Sequence, residues 1–504
     1  MRTICLVIPP SPFLLDERVF MTLGILKVAA VLEQAGDAVE LLDLSGVENF
    51  TDAVRHHAQS SPASHFGITA TTPQMPAAAA VCRAIQQVRT DATVILGGPH
   101  ITLVNAAARR ERNAGQVGRA TRALAQLERL FDVLVAGDGE LAIFPALRER
   151  APKLIDADQP SSLLFLGRER LTQLPLPARH LIDVHSYRYS IDGARAVSLI
   201  AQLGCPFNCG FCGGRDSPSL RRTRSRSTAA VLTEIEHLHT TYGFTGFMFY
   251  DDELNVNPKL IELLQGIEAL QQGQGCEFCL RGFVKAELFT EEQAAEMYRA
   301  GFRWLLSGFE SGSPRILRNM NKRATREDNT RCVEIAHRHG LKVKALMSLG
   351  HPGESAETVE ETERWLLEVA PDDFDVTLIT TYPGSPYYDH AVPHPSQPAV
   401  WTYETHGDRL HGYEIDYLEV ADYYKGNPDG GYVSYVFTDL LSAERLVELR
   451  NSVERTVRAQ LNIPFYPSAQ AIRYEHSMGM GPLPQNLLRR SETWTSTRKT
   501  GTMG

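Results

Sequence analysis

Cys205, Cys209 and Cys212 stand four and three residues apart in the run Cys205-Pro-Phe-Asn-Cys209-Gly-Phe-Cys212-Gly-Gly. Thiolates are soft ligands, suited to iron–sulfur clusters or to zinc. The glycine, proline and asparagine between them make a tight loop, directly after the apolar run Ala196-Val-Ser-Leu-Ile-Ala201. On a four-iron cube, three thiolates leave one iron without a protein ligand, open to chelation by a small molecule. Zinc is the alternative. It normally takes four ligands with paired C-x2-C spacing, and the nearest candidates to complete it are Cys276 and Cys279. Those two fall on an expected strand, where an odd separation turns them to opposite faces, so buried cysteines are the better reading. Cys5, Cys82 and Cys332 read as small apolar core residues.

The elements that must carry this loop follow a β/α rhythm. From residue 1 to about 150, strands at 4–8, 39–44, 65–72, 93–96 and 131–136 alternate with helical patterns at 24–35 and 76–88. Such alternation predicts a parallel, doubly wound (Rossmann-like) sheet, whose ligands lie beyond the carboxyl ends of the strands. Those ends carry Thr69-Ala-Thr-Thr72, Gly97-Gly-Pro-His100 and Gly137-Asp-Gly-Glu140. Residues 109–123, polar and arginine-rich, read as an exposed insertion, and 151–195 as a linker. After the cysteine loop the rhythm resumes. Expected strands at 196–203, 246–250, 276–283, 304–309, 343–349 and 374–381 predict a partial (β/α)6 barrel over 196–390, with its chemistry at the carboxyl ends. Beyond 390 the rhythm is lost in a stretch rich in Tyr, His, Pro and Gly. This is read with equal weight as a cap on a substrate pocket or as a packing surface. An amphipathic helix at 442–460 with a serine cap follows, and 489–504 reads as a disordered end.

At 504 residues the chain is too long for one ordinary core. A net charge of −9 gives no basic footprint for nucleic acid, and no apolar run reaches a membrane span. Eight cysteines, three of them clustered, suit a reducing cytoplasm better than a disulfide framework. The run Arg221-Arg-Thr-Arg-Ser-Arg226 is read as a basic lip for a carboxylate rather than an RNA surface.

The C-x3-C-x2-C pattern resembles the radical S-adenosylmethionine superfamily. The runs Ser307-Gly-Phe-Glu-Ser-Gly-Ser, Met320-Asn-Lys, Gly350-His-Pro-Gly-Glu354 and Tyr382-Pro-Gly-Ser-Pro-Tyr387 are similar to its B12-binding branch in particular. The loop running into Met21-Thr-Leu-Gly, then GGPH, then GDGE, resembles the cobalamin-binding domain of that branch. The resemblance covers residues 1–390. It implies a [4Fe-4S] cluster on Cys205, Cys209 and Cys212. Phe211, Tyr250, Asp251, Asp252, Arg281, Glu310, Ser311, Gly350 and Pro352 would hold S-adenosylmethionine, with Arg281 pairing its carboxylate. Thr22, Leu23, Gly24, Thr71, Thr72, Gly97, Gly98, Pro99, His100, Gly137, Gly139 and Glu140 would line the cobalamin site. One departure is plain: no Asp-x-His-x-x-Gly is present, so no motif histidine ligates cobalt, and His100 is read as a loop residue bonding to the ligand edge or backbone.

The activity implied is methyl transfer to an unactivated carbon (or phosphorus) of a small metabolite, through a 5′-deoxyadenosyl radical and methylcobalamin, with electrons from a flavodoxin- or ferredoxin-type donor. The alternatives are a cobalamin-containing radical enzyme that cyclises or rearranges a ring without methylation, a tRNA-modifying enzyme, and, in another class, a zinc-stabilised binding protein.

Overall fold

A computed structural model describes residues 2–14, 17–424, 426 and 431–464; the polar end expected at 489–504 lies outside them. The first sheet is wholly parallel, in the order β2-β1-β3-β4-β5-β6. Its strands are β1 (Thr3–Ile8), β2 (Ala38–Asp43), β3 (His65–Thr69), β4 (Thr93–Gly97), β5 (Val133–Ala136) and β6 (Leu154–Asp156). β1 reads Ile-Cys-Leu-Val-Ile without alternation because helices cover both of its faces, so every side chain is buried. Cys5 and Cys82 are among those buried side chains, and Cys332 is buried in the barrel's helical shell.

Two expectations are corrected here. Residues 154–156 are no linker but the sixth strand of this sheet, paired with β5. Residues 109–123 are exposed as expected only at 112–117 and 122, and are no insertion. They span the end of the helix Pro99–Asn113 and the start of Arg119–Leu130. Arg119 is buried, donating to the Tyr388 carbonyl at 2.6 Å, with its guanidinium against the Tyr388 and Trp401 rings. Arg109 bridges Asp156, Asp158 and the Asp216 carbonyl. These arginines fasten the first sheet to the rest of the chain, which is why the stretch is polar without being peripheral.

The second sheet runs β15-β14-β13-β12-β11-β8-β7. β7 (Ser190–Ile191) and β8 (Ala194–Leu199) form an antiparallel hairpin, so the expected linker also ends inside the barrel. Between β8 and the next barrel strand, β9 (Gln202–Leu203) and β10 (Arg224–Ser225) make a short antiparallel pair flanking the cysteine loop. The remaining strands, β11 (Gly246–Phe249), β12 (Cys279–Phe283), β13 (Phe302–Glu310), β14 (Lys342–Leu349) and β15 (Asp373–Leu378), are parallel to β8, giving the six parallel strands expected.

An incomplete barrel leaves β15 with an unpaired edge. The helix Ala443–Leu461 closes it with side chains. Glu454 accepts from the Val376 amide at 2.8 Å, Arg450 donates to the Val376 carbonyl at 2.6 Å, and Arg458 donates to the Phe374 carbonyl. Positions 450, 454 and 458 are four apart and so share one helix face. Ser442 caps this helix through the Arg445 amide. The region beyond 390 holds a four-stranded antiparallel meander: β16 (Val392–Pro393), β17 (Val400–Thr405), β18 (Asp408–Tyr413) and β19 (Val436–Thr438).

Candidate active site

The cysteine loop leaves β8 at its carboxyl end and is pinned from three sides. The Gly210 amide donates to the Met320 carbonyl at 2.8 Å, and its carbonyl accepts from Tyr387 at 3.0 Å. Asn321 donates to the Asn208 carbonyl at 2.8 Å. Lys285 lies 4.6 Å over the Phe207 ring. Gly210 must be glycine, because an added Cβ would fall 2.4 Å from the Tyr387 ring. The motifs Met320-Asn-Lys and Pro386-Tyr387 therefore act as clamps on the loop.

Burial holds the Cys205 thiol above its ordinary pKa and pushes Cys212 up to about 12, so metal loading must displace protons. Among the described residues, the one set of three His, Cys, Asp or Glu ligand atoms lying within 4.8 Å of one another is Cys5, Glu40 and His57, not the loop triplet. Thiolates sharing one zinc at about 2.3 Å stand less than 4 Å apart. The three loop sulfurs are spread more widely, as suits a cluster whose corners are different irons. Cys276 precedes β12 rather than lying on it, and Cys279 pairs with Gly246 at the amino-terminal rim. Both are at the wrong end of the barrel to join the triplet, and both are half-buried rather than the buried cysteines expected.

Behind the loop runs a buried chain of polar contacts. Lys322 donates to Glu310 at 3.2 Å, and Ser348 donates to the other Glu310 oxygen at 2.8 Å. His351 Nε2 meets the Ser348 hydroxyl at 2.8 Å, and its Nδ1 meets the Tyr387 hydroxyl at 3.2 Å. Burial lowers the His351 pKa to about 4, so the ring is neutral and passes hydrogen bonds without carrying charge. Glu310 takes a left-handed backbone (φ 65°) that aims its carboxylate into this chain. Phe211 packs edge-on against His351 at 5.4 Å.

The residues expected to hold the cosubstrate do not all gather here. Asp251 accepts from the Ala201 amide at 3.2 Å, while its Oδ1 is buried without a partner, and burial pushes its carboxyl up to about 7. Burial also raises Asp252, against the pull of Arg215. Tyr250 lies 5.5 Å from Phe20. Gly350 turns with φ 93°, and the Pro352 carbonyl accepts from Asn319 at 2.9 Å. Two placements differ from expectation. Ser311 is fully buried, its hydroxyl 3.1 Å from Thr362, so it braces a helix. Arg281 lies mid-strand in β12, level with Met248 and below the rim that the loop occupies.

A cleft with about 1260 Å3 of open space separates the two sheets. Its walls are the strand ends of the first sheet on one side and Ile200, Leu203, Ser219 and Leu220 beside the cysteine loop on the other. Thr22, Gly24, Thr71, Gly97, Gly98, Pro99, Gly137, Gly139 and Glu140 line it as expected. Leu23, Thr72 and His100 do not. Leu23 faces the core, and His100 is buried with Nδ1 3.2 Å from the Thr72 hydroxyl, its pKa lowered to about 3 by burial. Lys27, Thr69, Gln74, Thr102 and Asp138 also line the cleft and were missed. Gly98 has φ 97°, and a Cβ there would lie 2.7 Å from the Thr69 hydroxyl. This glycine-edged floor is one against which a broad planar ligand can lie flat. The basic run 221–226 turns out to be a brace. Arg224 pairs with Asp138 and Arg226 with Glu234, while Arg221 donates to the Pro206 carbonyl.

Residues 17–128 match the B12 binding domain family, and residues 199–366 match the Radical SAM superfamily. The chain carries a radical SAM domain and a B12-binding domain. It is 28% identical over 398 residues to an uncharacterized methyltransferase of Pyrococcus horikoshii, covering 77% of this chain and 83% of that one. It is 24% identical over 366 residues to the anaerobic magnesium-protoporphyrin IX monomethyl ester cyclase of Cereibacter sphaeroides, covering 69% of this chain and 57% of the cyclase. In fold it is similar to the radical S-adenosylmethionine methyltransferase TsrM of Kitasatospora setae, solved with cobalamin and a [4Fe-4S] cluster bound. The TM-score is 0.61 at 18% identity, over 93% of this chain and 89% of TsrM. Among the described residues, no helix of this B12-binding radical SAM protein is long and apolar enough to cross a membrane.

Proposed function

We propose that this chain is a cobalamin-dependent radical S-adenosylmethionine methyltransferase acting on an unactivated carbon of a small molecule. The observation that carries the reading is the shared wall. The segments Ile200–Leu203 and Ser219–Leu220, which flank the cysteine loop, are also one side of the cleft. A cluster held by Cys205, Cys209 and Cys212 would supply the electron that opens the cosubstrate's sulfonium, and a corrin in the cleft would carry the methyl group. The protein contributes placement. Met320, Asn321 and Tyr387 hold the loop, Lys322 sets a buried positive charge behind Cys209, and Glu310, fixed by Lys322 and Ser348, is poised for ribose hydroxyls. Asp251 and Asp252 offer carboxyl groups beside Cys205 to an ammonium. The first sheet contributes backbone and small side chains, with no histidine from a cobalt-binding motif. We infer a cytoplasmic setting and a flavodoxin- or ferredoxin-type electron donor, which eight unpaired cysteines and an externally reduced cluster both suit.

The similarity to the cyclase gives a second reading, ring closure without methylation. One assay separates the two. After anaerobic reconstitution with iron, sulfide and cobalamin, incubation with S-adenosylmethionine and the methyl acceptor yields S-adenosylhomocysteine together with 5′-deoxyadenosine if the chain methylates. Formation of 5′-deoxyadenosine alone excludes methylation.

A further inference from the structure

Among the described residues, the barrel lumen contains a buried cation with no ion-pair partner. Inward-facing side chains alternate along each strand, and Arg281 is one of them, 4% exposed in the middle of β12. Its Nε and Nη2 have no hydrogen-bond partner, and its only ring neighbour is Trp304, 5.3 Å away. The Tyr189 hydroxyl is buried beside the guanidinium and interacts with it, with no acidic group taking up its proton. The other lumen cation is treated differently. Lys344 pairs with Asp373 at 2.9 Å and reaches Asp375 at 3.8 Å, and Arg458 also holds Asp373 at 3.0 Å. A buried charge left unpaired costs several kcal/mol, and a fold that pairs Lys344 so thoroughly leaves Arg281 without an acid.

Position separates this guanidinium from the cosubstrate. Two residues further along β12, Phe283 ends the strand, and Lys285 beyond it touches Phe207 of the cysteine loop. Arg281 therefore lies about 7 Å below the strand end on the 3.3 Å rise of a parallel strand, deeper than a molecule chelating at the loop. Aromatic rings surround it in the lumen. Phe20, from the loop after β1, lies 4.7 Å from Tyr189 and 5.5 Å from Tyr250, and Val19 packs into the same lumen cluster. Phe20 comes from the first domain, while Tyr189, Tyr250 and the guanidinium belong to the second.

The geometry points to Arg281 as the anchor for the substrate's carboxylate: the acceptor is an organic acid whose anion pairs with Arg281 and whose planar part takes the place of Phe20 between Tyr189 and Tyr250. This rests on the methyltransferase reading only in naming the occupant as the acceptor; the site itself stands on the lumen. A carboxylate suits the fork of a guanidinium in a bidentate pair, and the hydroxyl of Tyr189 supplies a further donor.

The test uses the full chain and a matched pair of probes, 2-naphthoate and 2-naphthamide, followed by calorimetric titration. Wild-type protein binds the acid about tenfold or more tightly than the amide, the worth of one charge-assisted pair. R281M loses that preference while its affinity for the amide is unchanged, and R281K restores part of it. R281M melts no lower than wild type, since an unpaired buried charge has been replaced by an apolar chain of similar length. Iron-loaded R281M binds S-adenosylmethionine as wild type does. Equal affinity for acid and amide, no binding of either at about 1 mM, a lowered melting temperature in R281M, or loss of S-adenosylmethionine binding each overturns the assignment. None of these readings depends on methyl transfer, so the site and the proposed reaction can fail separately.

Discussion

His351 shows how much a single neutral side chain carries here. It joins Ser348, which holds Glu310, to Tyr387, which holds Gly210 between the second and third cysteines. Replacing it with phenylalanine keeps the bulk, leaves Ser348 its bond to Glu310 and strands the buried Tyr387 hydroxyl, which costs about 1–3 kcal/mol. H351F is therefore expected to unfold at lower urea than wild type and to lose iron faster in air. Unchanged denaturation and iron retention would mean the chain of contacts is incidental. Glu354 gives a prediction in pH. Burial raises its carboxyl to about 7 despite hydrogen bonds from Thr358 and the Gly350 amide. The native state thus holds this proton more tightly than the unfolded chain does. The contribution is complete below the ordinary carboxyl range and is lost as pH rises through about 7, at about 1.4 kcal/mol per pH step. The stability of wild type should fall from pH 5 to about 7 more steeply than that of E354Q, as urea unfolding at a series of pH values would show. Equal slopes would contradict it.

At the scale of elements, the sequence was most readable where periodicity and chemistry coincide. β1, β11 and the cysteine loop stand where their residues place them, because an uninterrupted apolar run and a C-x3-C-x2-C loop each have few solutions. What could not be read are contacts across long separations. Nothing in Arg450, Glu454 or Arg458 announces that they replace a missing strand, because the backbone groups they satisfy lie some 80 residues earlier. Removing Glu454 would leave two arginines buried against an open edge. E454A should lose about 3–5 kcal/mol of stability, the cost of breaking a buried charge network, with the loss visible in chemical denaturation. A loss under about 1 kcal/mol would mean the edge is closed by packing alone. The arginines of 109–123 were misread for the same reason: Arg119 carries charge and is nevertheless buried, because two aromatic rings and a carbonyl receive it. His100 and Ser311 were overread, since loop position alone does not say which way a side chain faces. Gly98 edges the cleft where a side chain has no room, and G98A should abolish corrin uptake while leaving the far-ultraviolet circular dichroism unchanged. Stoichiometric corrin in G98A would remove the strand-end floor from the account.

At the scale of the whole molecule, the two sheets are fastened by Arg109 and Arg119 and face each other across one chamber. Segments on either side of the cysteine loop line the cleft, which ties the two sites into a single device rather than two neighbours. The most direct test is electron paramagnetic resonance of protein loaded with both groups, confirmed by iron and cobalt analysis. The cobalt is held as Co(II) while the cluster is stepped between its oxidised and reduced forms. The account predicts that reducing the cluster broadens the cobalt signal and speeds its relaxation, and that C209A, which retains corrin, shows neither effect. A cobalt signal indifferent to the cluster's state in fully loaded wild-type protein would contradict it.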